Sequence, residues 1–137
     1  MKQDTKGGNE RGANDRATAH LGIRILSIGD GEASAEMTVT ETMCNGHLTT
    51  HGGYVFLFAD TVFAAACNSG GVPTVAAGAQ IRFIKPTRAG DVLRAHGVER
   101  AKWGRSGIYD VTVMRGDEVV AEFRGDSRAV PPQKKTG

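Results

Sequence analysis

The hydrophobic and polar positions of the chain first form a regular pattern at Ile23. Two strand-like segments, 22–29 and 32–40, follow each other there, and the Gly-Asp-Gly sequence that joins them is typical of a tight β-hairpin. Residues 15–22, just before them, are compatible with a short helix. The pattern therefore predicts that the folded part of the chain starts with a short helix and a hairpin.

The longest apolar run, 52–67, predicts one long helix. After two initial glycines only Asp60 and Thr61 interrupt its apolar character, and it ends in Asn-Ser-Gly-Gly followed by Pro73, which is a typical helix stop. A helix that is apolar nearly all round belongs inside a fold rather than on its surface. We therefore expect the sheet to cover this helix on every side.

Four strand-like runs follow the helix and are separated by short breaks that contain Gly or Pro. The runs are 74–85, 91–103, 106–115 and 118–130. Consecutive strands with short connections predict an antiparallel meander. Together with the hairpin, they predict an α+β fold in which one curled antiparallel sheet wraps around one long central helix.

Length and composition place this fold in a single domain. The chain has 137 residues, and its net charge of +2 is too small to predict nucleic-acid binding. Residues 1–14 and 131–137 lack periodicity, so we expect flexible tails around one domain at 15–130. No signal peptide and no membrane-spanning run is visible, and Cys67 is expected to be a buried free thiol, so we expect a cytoplasmic protein.

Asp60 is the first candidate for chemistry, because an ionised carboxylate inside an apolar helix is costly unless it is paired or functional. Burial alone leaves both possibilities open, and an ion pair with Arg82 on a neighbouring strand is the structural alternative.

The start of the helix is the second candidate. Gly52 and Gly53 leave the backbone open to close approach, and the first N–H groups of a helix have no internal acceptor. Such N–H groups, at the positive end of the helix dipole, suit the oxyanion that forms when a thioester carbonyl is attacked. By itself the pair of glycines is a weak signal, because a loop that turns into a buried helix needs flexible residues too.

The spacing of these two candidates has a consequence for assembly. Gly52 and Asp60 are eight residues apart in one helix, which corresponds to about 12 Å along its axis. A general base acts over roughly 3 Å, or one water molecule further. If both residues act on one substrate, Asp60 must come from a second copy, which predicts a twofold dimer with two identical shared sites.

The same residues carry a family resemblance. Asn45, five residues, His51-Gly52-Gly53, six residues and Asp60 resemble the motif of the hotdog-fold thioesterases, most closely the phenylacetic acid degradation (PaaI-type) family. The resemblance extends from about Leu21 to Val130 and implies the fold predicted above. It also implies an acyl-CoA substrate without a further cofactor, sites at a dimer interface, and dimers that pair into tetramers.

The resemblance further implies a role for each motif residue. Asp60 corresponds to the catalytic carboxylate, as general base or as nucleophile, and the Gly52 N–H to the donor that polarises the thioester carbonyl. His51 would orient the loop or assist the departing thiolate, Asn45 would position water or substrate, and Gly53 would bind substrate.

The chain departs from the family pattern at two positions. Ala76 stands where related enzymes carry a water-holding Ser or Thr, and Asp126 stands where a basic residue is common.

Other groups of residues have competing interpretations. The spacing of Cys44, His47 and His51 would suit zinc, but three ligands of a loop are better explained without a metal, so we predict none. The cations Lys85, Arg88, Arg105 and Arg128 are candidates for the phosphates of coenzyme A. Trp103 and Tyr109 are assigned to sheet packing rather than to base stacking.

Three functions remain open at this point. Hydrolysis of acyl-CoA is favoured, with phenylacetyl-CoA or a hydroxylated form as the substrate that the resemblance implies. Phe56, Phe58 and Phe63 would line an aryl pocket, although at least two of them suit core packing better. A non-catalytic acyl-CoA-binding module or a hydratase/dehydratase are the alternatives. Asp60 argues against the first, and the absence of an Asp-His acid-base motif argues against the second.

Overall fold

A computed structural model describes residues 15–131, so the predicted tails lie outside this range except for Pro131. Two helices, six strands and one 3₁₀ turn make up the described part. The helices are α1 (Arg16–His20) and α2 (Gly52–Cys67), and the 3₁₀ turn is Glu41–Met43. The strands are β1 (Arg24–Gly29), β2 (Glu32–Thr38), β3 (Thr74–Phe83), β4 (Val92–Trp103), β5 (Ser106–Arg115) and β6 (Glu118–Ala129).

The six strands form one antiparallel sheet that curls around α2, as predicted. Its order is β1-β2-β4-β5-β6-β3. The first hairpin is confirmed, because Asp30 and Gly31 between β1 and β2 have φ angles of 55° and 78°, which a two-residue hairpin turn requires. Asp15 caps α1, since its carboxylate accepts from the backbone N–H of Thr18.

The predicted meander of four strands is wrong at its first member. Strand β3 does not pair with β4 but with β6, in a register that places Ile81 opposite Phe123. Residues 84–91 are too many for a tight turn and instead carry the chain across to β4, which pairs with β2. Only β4, β5 and β6 form a meander, because two-residue turns join them. Strand β3 is consequently an edge of the sheet.

The core lies between the concave side of the sheet and one side of α2. Phe58, Val62 and Phe63 on the helix are 1% exposed or less. The ring of Phe63 lies 5.8 Å from that of Tyr109 and 5.7 Å from that of Phe123. A Cβ on Gly125 would lie 2.7 Å from the Phe63 ring, so this glycine makes room for it. Tyr109 thus packs in the sheet as predicted, whereas Trp103 is 55% exposed and the prediction is wrong for it.

The prediction that the sheet covers α2 on every side is also wrong. The covered side of α2 consists of the residues that are buried against the sheet, Val55, Phe58, Ala59, Val62, Phe63, Ala66 and Cys67. The open side consists of Gly53, Leu57, Asp60 and Ala64, which are exposed or half-buried. A six-stranded sheet that is not closed surrounds only part of a helix, so within one chain the other part keeps access to solvent.

Candidate active site

The loop before α2 is folded tightly upon itself. The Oδ1 atom of Asn45 accepts hydrogen bonds from the backbone N–H groups of His47 and Thr49, at 2.9 and 3.3 Å, and from the Thr49 hydroxyl at 3.2 Å. The backbone N–H of Asn45 in turn donates to the Thr49 carbonyl. This oxygen of Asn45 is therefore occupied in holding the loop, and only the amide nitrogen is left for a substrate or water.

A second loop, the crossover 84–91, is hydrogen-bonded to the first. The backbone N–H of Thr50 donates to the Thr87 carbonyl at 2.7 Å, and the Thr87 hydroxyl donates to that of Thr50 at 2.6 Å. Thr87 is only 3% exposed, so this contact is largely shielded from water. Arg115 holds the crossover from the other end through the Pro86 carbonyl and the Asp91 carboxylate.

The first loop leads directly into the first turn of α2. The backbone N–H of His51 donates to the Met43 carbonyl at 2.7 Å, and His51 is the N-cap residue. Its Nδ1 accepts from the Gly53 N–H at 3.5 Å, a long contact that leaves the proton of the neutral imidazole on Nε2. Among residues 15–131 the Gly52 N–H finds no acceptor. The helix thus begins with one unpaired donor.

A cleft of about 410 Å³ opens at this end of the helix. Gly52 and Val55 line it together with Thr49, Thr50 and residues 83–87 of β3 and the crossover. The ring of Phe83 approaches Gly52 so closely that a Cβ there would lie 2.9 Å from its Cζ atom. A side chain at this position would therefore displace the Phe83 ring, and Gly52 lines a cavity large enough for a small acyl group.

Asp60 lies on the open side of α2, two turns from the cleft. It is half-buried, and burial raises the pKa of its carboxyl above the ordinary value, with the negative charge of Asp15 as a second cause. Asp15 is close because α1 packs across this part of α2, where the Thr18 and Thr61 hydroxyls are 3.2 Å apart. The ion pair with Arg82 that we considered is not formed among the described residues.

The structure of one chain therefore brings some predicted site residues together and not others. His51, Gly52 and Gly53 lie together at the start of α2, and Asn45 holds the loop before it. Of the predicted site residues only Gly52 lines the cleft, and Asn45, His51, Gly53 and Asp60 do not. This arrangement agrees with the helix-length argument, which separates Gly52 from Asp60 by about 12 Å.

The remaining chemical candidates have more ordinary surroundings. Cys44 and Cys67 are free thiols, Cys67 is buried as predicted, and burial raises its pKa to about 11. Within the part of the chain that the structure describes, no three potential metal ligands cluster, and Cys44, His47 and His51 do not converge. Lys85 pairs with Glu118 at 2.8 Å, while Arg128 contacts the Ser106 hydroxyl.

The predicted aryl pocket needs correction in its members. Phe58 and Phe63 are core residues, as the preference for core packing suggested, and Phe56 is half-buried with its ring edge-on to Phe123 at 5.3 Å. None of the three lines the cleft, because they lie further along the helix or on its covered side. Phe83, which the sequence analysis did not single out, lines it instead.

Two features of the site could not be found from sequence patterns. Phe83 lies at the end of an ordinary strand pattern, and Thr87 lies in a segment that looks like a polar turn. Phe83 ends the strand before the crossover 84–91, and Thr87 lies within the crossover. The place of each residue in the site therefore depends on how the chain passes from β3 to β4. A sequence of alternating strands gives no signal for which strands become neighbours.

In residues 15–131 no helix has the length and the apolar character needed to pass through a membrane.

Comparison with known proteins places these features in context. Residues 47–122 match the model of the thioesterase superfamily. The acyl-coenzyme A thioesterase PaaI of Escherichia coli is 43% identical over 118 residues, which cover 85% of this chain and 84% of that protein.

Solved structures give the same result. The structure of the E. coli PaaI protein from the phenylacetic acid degradation operon superposes with a TM-score of 0.89, at 40% identity, over 93% of this chain and 94% of that one. A variant of phenylacetic acid degradation protein PaaI from Thermus thermophilus superposes with a TM-score of 0.82, at 32% identity, over 85% of this chain and 100% of that one.

Proposed function

The chain belongs to the thioesterase superfamily, and within it to the acyl-CoA thioesterases of PaaI type, and we propose that it hydrolyses phenylacetyl-CoA or a ring-hydroxylated form of it. The products are the free acid and coenzyme A, and coenzyme A enters as part of the substrate rather than as a cofactor. The observation that carries this proposal is the Gly52 N–H, which has no acceptor among residues 15–131 and belongs to a residue that lines the cleft at the positive end of α2.

In this mechanism the thioester carbonyl accepts a hydrogen bond from Gly52. Negative charge develops on that oxygen when the carbonyl carbon is attacked, and a preorganised N–H at a helix start stabilises it. Asp60 acts in one of two ways. Either it removes a proton from the water that attacks the carbonyl carbon, or it attacks that carbon itself and forms a mixed anhydride, which water then hydrolyses. The C–S bond breaks, and the departing thiolate takes up the proton that the water releases, while the Nε2–H of His51 can donate a hydrogen bond to the sulfur.

The raised pKa of Asp60 fits the first of these roles. A carboxylate partly withdrawn from water is a stronger base than a solvated one. Asn45 keeps the loop before Gly52 in shape through its Oδ1 atom, which leaves its amide nitrogen available to substrate or water. Gly53 contributes to binding by leaving the helix start unobstructed.

The site is completed by a second copy of the chain. Asp60 and Gly52 of one helix are too far apart to share a substrate, whereas antiparallel helices of two copies bring each Gly52 toward the other Asp60. Two further observations support this assembly. Apart from Asp60, the open side of α2 consists of Gly53, Leu57 and Ala64, and the edge strand β3 carries the exposed apolar residue Val75. We propose such dimers, paired into tetramers, in the cytoplasm.

A subunit-mixing experiment tests the mechanism and the shared site together. D60N removes the carboxylate, and Gly52→Pro removes the N–H donor. Proline is tolerated at the first helical position, and His51 already has the extended backbone (φ −64°, ψ 131°) that precedes a proline. Gly52→Ala is the matched control, because it adds a Cβ but keeps the N–H.

Each single variant is expected to lose about 10²-fold or more of kcat. Unfolded and refolded together in equal amounts, they should recover about a quarter of the wild-type activity, because half of the dimers are mixed and one of their two sites is intact. A mixture that stays as inactive as its components would show that the two residues do not meet across an interface. Light scattering of the wild type gives the number of chains independently.

A further inference from the structure

Phe83 is the aromatic side chain that the cleft offers to a substrate. The other apolar residues that line the cleft, among those described, are the aliphatic Val55, Ile84 and Val120 and the ring of Pro86. The helix phenylalanines are unsuitable, because Phe58 and Phe63 are at most 1% exposed. Phe83 by contrast is 55% exposed. Any selection of an aromatic acyl group by contacts within this cleft therefore depends on this residue.

The position of the ring relative to Gly52 makes it suited to that task. Its Cζ, Cε1 and Cε2 atoms lie 2.9, 3.3 and 3.3 Å from the place where a Cβ on Gly52 would be. The edge of the ring therefore packs on the residue whose N–H is the proposed carbonyl donor. In an arylacetyl thioester only one carbon separates the carbonyl from the ring. A carbonyl held at Gly52 thus places that ring within contact distance of Phe83.

We infer that Phe83 determines the preference of the site for acyl groups with an aromatic ring over aliphatic ones, and this inference rests on the proposed thioesterase function. Aliphatic walls such as Val55 and Ile84 bind any apolar group in proportion to the area that is buried. Aromatic pairs add a term that depends on the geometry of the two rings. The aliphatic residues thus provide affinity for acyl groups in general, and Phe83 provides the discrimination.

The strand that carries Phe83 holds its backbone in place. Phe83 is the last residue of β3 and pairs with Ala121 of β6. Directly after it, the backbone N–H groups of Ile84 and Lys85 both donate to the Val120 carbonyl, at 2.8 and 3.1 Å. The Cα of Phe83 is thus held on both sides. A rigid aromatic wall discriminates better than a mobile one, because less conformational freedom is lost on binding.

The test compares kcat/KM for phenylacetyl-CoA with that for hexanoyl-CoA in the wild type and in Phe83→Leu, Phe83→Tyr and Ile84→Val. Leucine keeps apolar bulk without the ring, tyrosine keeps the ring, and Ile84→Val trims a neighbouring aliphatic wall. In Phe83→Leu the ratio of the two values should fall about two- to tenfold in favour of hexanoyl-CoA. In Phe83→Tyr and Ile84→Val it should stay within about twofold of the wild-type ratio.

The outcomes separate this inference from the function on which it rests. A wild type without hydrolysis of any acyl-CoA would refute the proposed function. A wild type that is active while Phe83→Leu loses both substrates equally would refute only the role of Phe83 in specificity. Light scattering shows whether such an equal loss comes from dissociation of the oligomer, in which case Phe83 serves the interface. A ratio that collapses in Phe83→Tyr as strongly as in Phe83→Leu would contradict the role of the ring itself.

Discussion

The two sides of α2 are built from similar residues but have different surroundings. On the covered side Phe58 and Val62 are completely buried against the sheet. On the open side Leu57 and Asp60 remain half-buried, and Ala64 is exposed. A carboxylate is tolerated on the open side, because it is still partly in contact with water there. On the covered side it would be buried without water or another partner. The difference shows that an apolar helix can accommodate a carboxylate on the side that its own chain leaves uncovered.

The largest expected effect separates activity from stability on the open side. D60N should lower kcat by about 10²- to 10⁴-fold, because the base or nucleophile is lost. It should not lower the free energy of unfolding at pH 7. The pKa of Asp60 is raised in the folded chain, so the folded state binds more protons than the unfolded one between the two pKa values, and stability is lost as pH rises through that interval.

The measurement for D60N is urea unfolding at pH 7 and near pH 3, beside steady-state turnover. Asparagine has no charge to desolvate, so the variant should be at least as stable as the wild type at pH 7. This advantage should disappear at low pH, where Asp60 is protonated in both states. A clear loss of stability at pH 7 would mean that Asp60 makes a stabilising contact in the assembled protein.

The matching change on the covered side should mainly lower the free energy of unfolding and have little effect on kcat. Phe58→Ala leaves a cavity between α2 and the sheet and is expected to cost about 3–5 kcal/mol of unfolding free energy. At low temperature, where the variant is still folded, kcat should change much less than in D60N. Denaturant unfolding and turnover on the same sample check both parts. Equal losses of turnover in the two variants would erase the distinction between the two sides.

A smaller effect is expected at the start of the helix, where both sides meet the cleft. Gly52→Ala keeps the N–H but places a Cβ 2.9 Å from the Phe83 ring, and this overpacking should cost about 1–3 kcal/mol. Phe83→Ala in the same chain removes the ring atom that the new Cβ would approach too closely. The double variant should therefore be more stable than the sum of the two single losses. Additive losses in thermal or urea unfolding would show that the two residues do not touch.

The smallest effect concerns α1, the short helix that contacts α2 at Thr61, next to Asp60. Asp15→Asn preserves the cap of α1, because asparagine caps as well as aspartate, but it removes a negative charge near Asp60. Since that charge raises the pKa of Asp60, its removal should move the acidic limb of the kcat/KM profile to lower pH. The maximal rate should be unchanged. A limb that stays in place, or that moves to higher pH, would contradict the electrostatic coupling of α1 to the site.

Much of the fold followed from local patterns. The bounds of α2 are confirmed at both ends, because glycines, a continuous apolar run and an Asn-Ser-Gly-Gly stop mark them locally. The first hairpin is confirmed for the same reason, since Asp30 and Gly31 adopt the turn conformation that these residue types favour. The position of β3 was missed, because whether a strand pairs with β4 or β6 depends on contacts between residues far apart in sequence.

The sequence by itself singled out the residues that we propose for the chemistry, and it determined that one helix cannot bring Gly52 and Asp60 together. The spacing of Gly52 and Asp60 sets their separation through the rise of the helix, which is a property of the backbone. Only the tertiary structure decided what surrounds them. It placed the crossover under Thr50, the ring of Phe83 against Gly52 and one side of α2 in the open, because the closing of a sheet and the neighbours of its edge are set by packing over the whole chain.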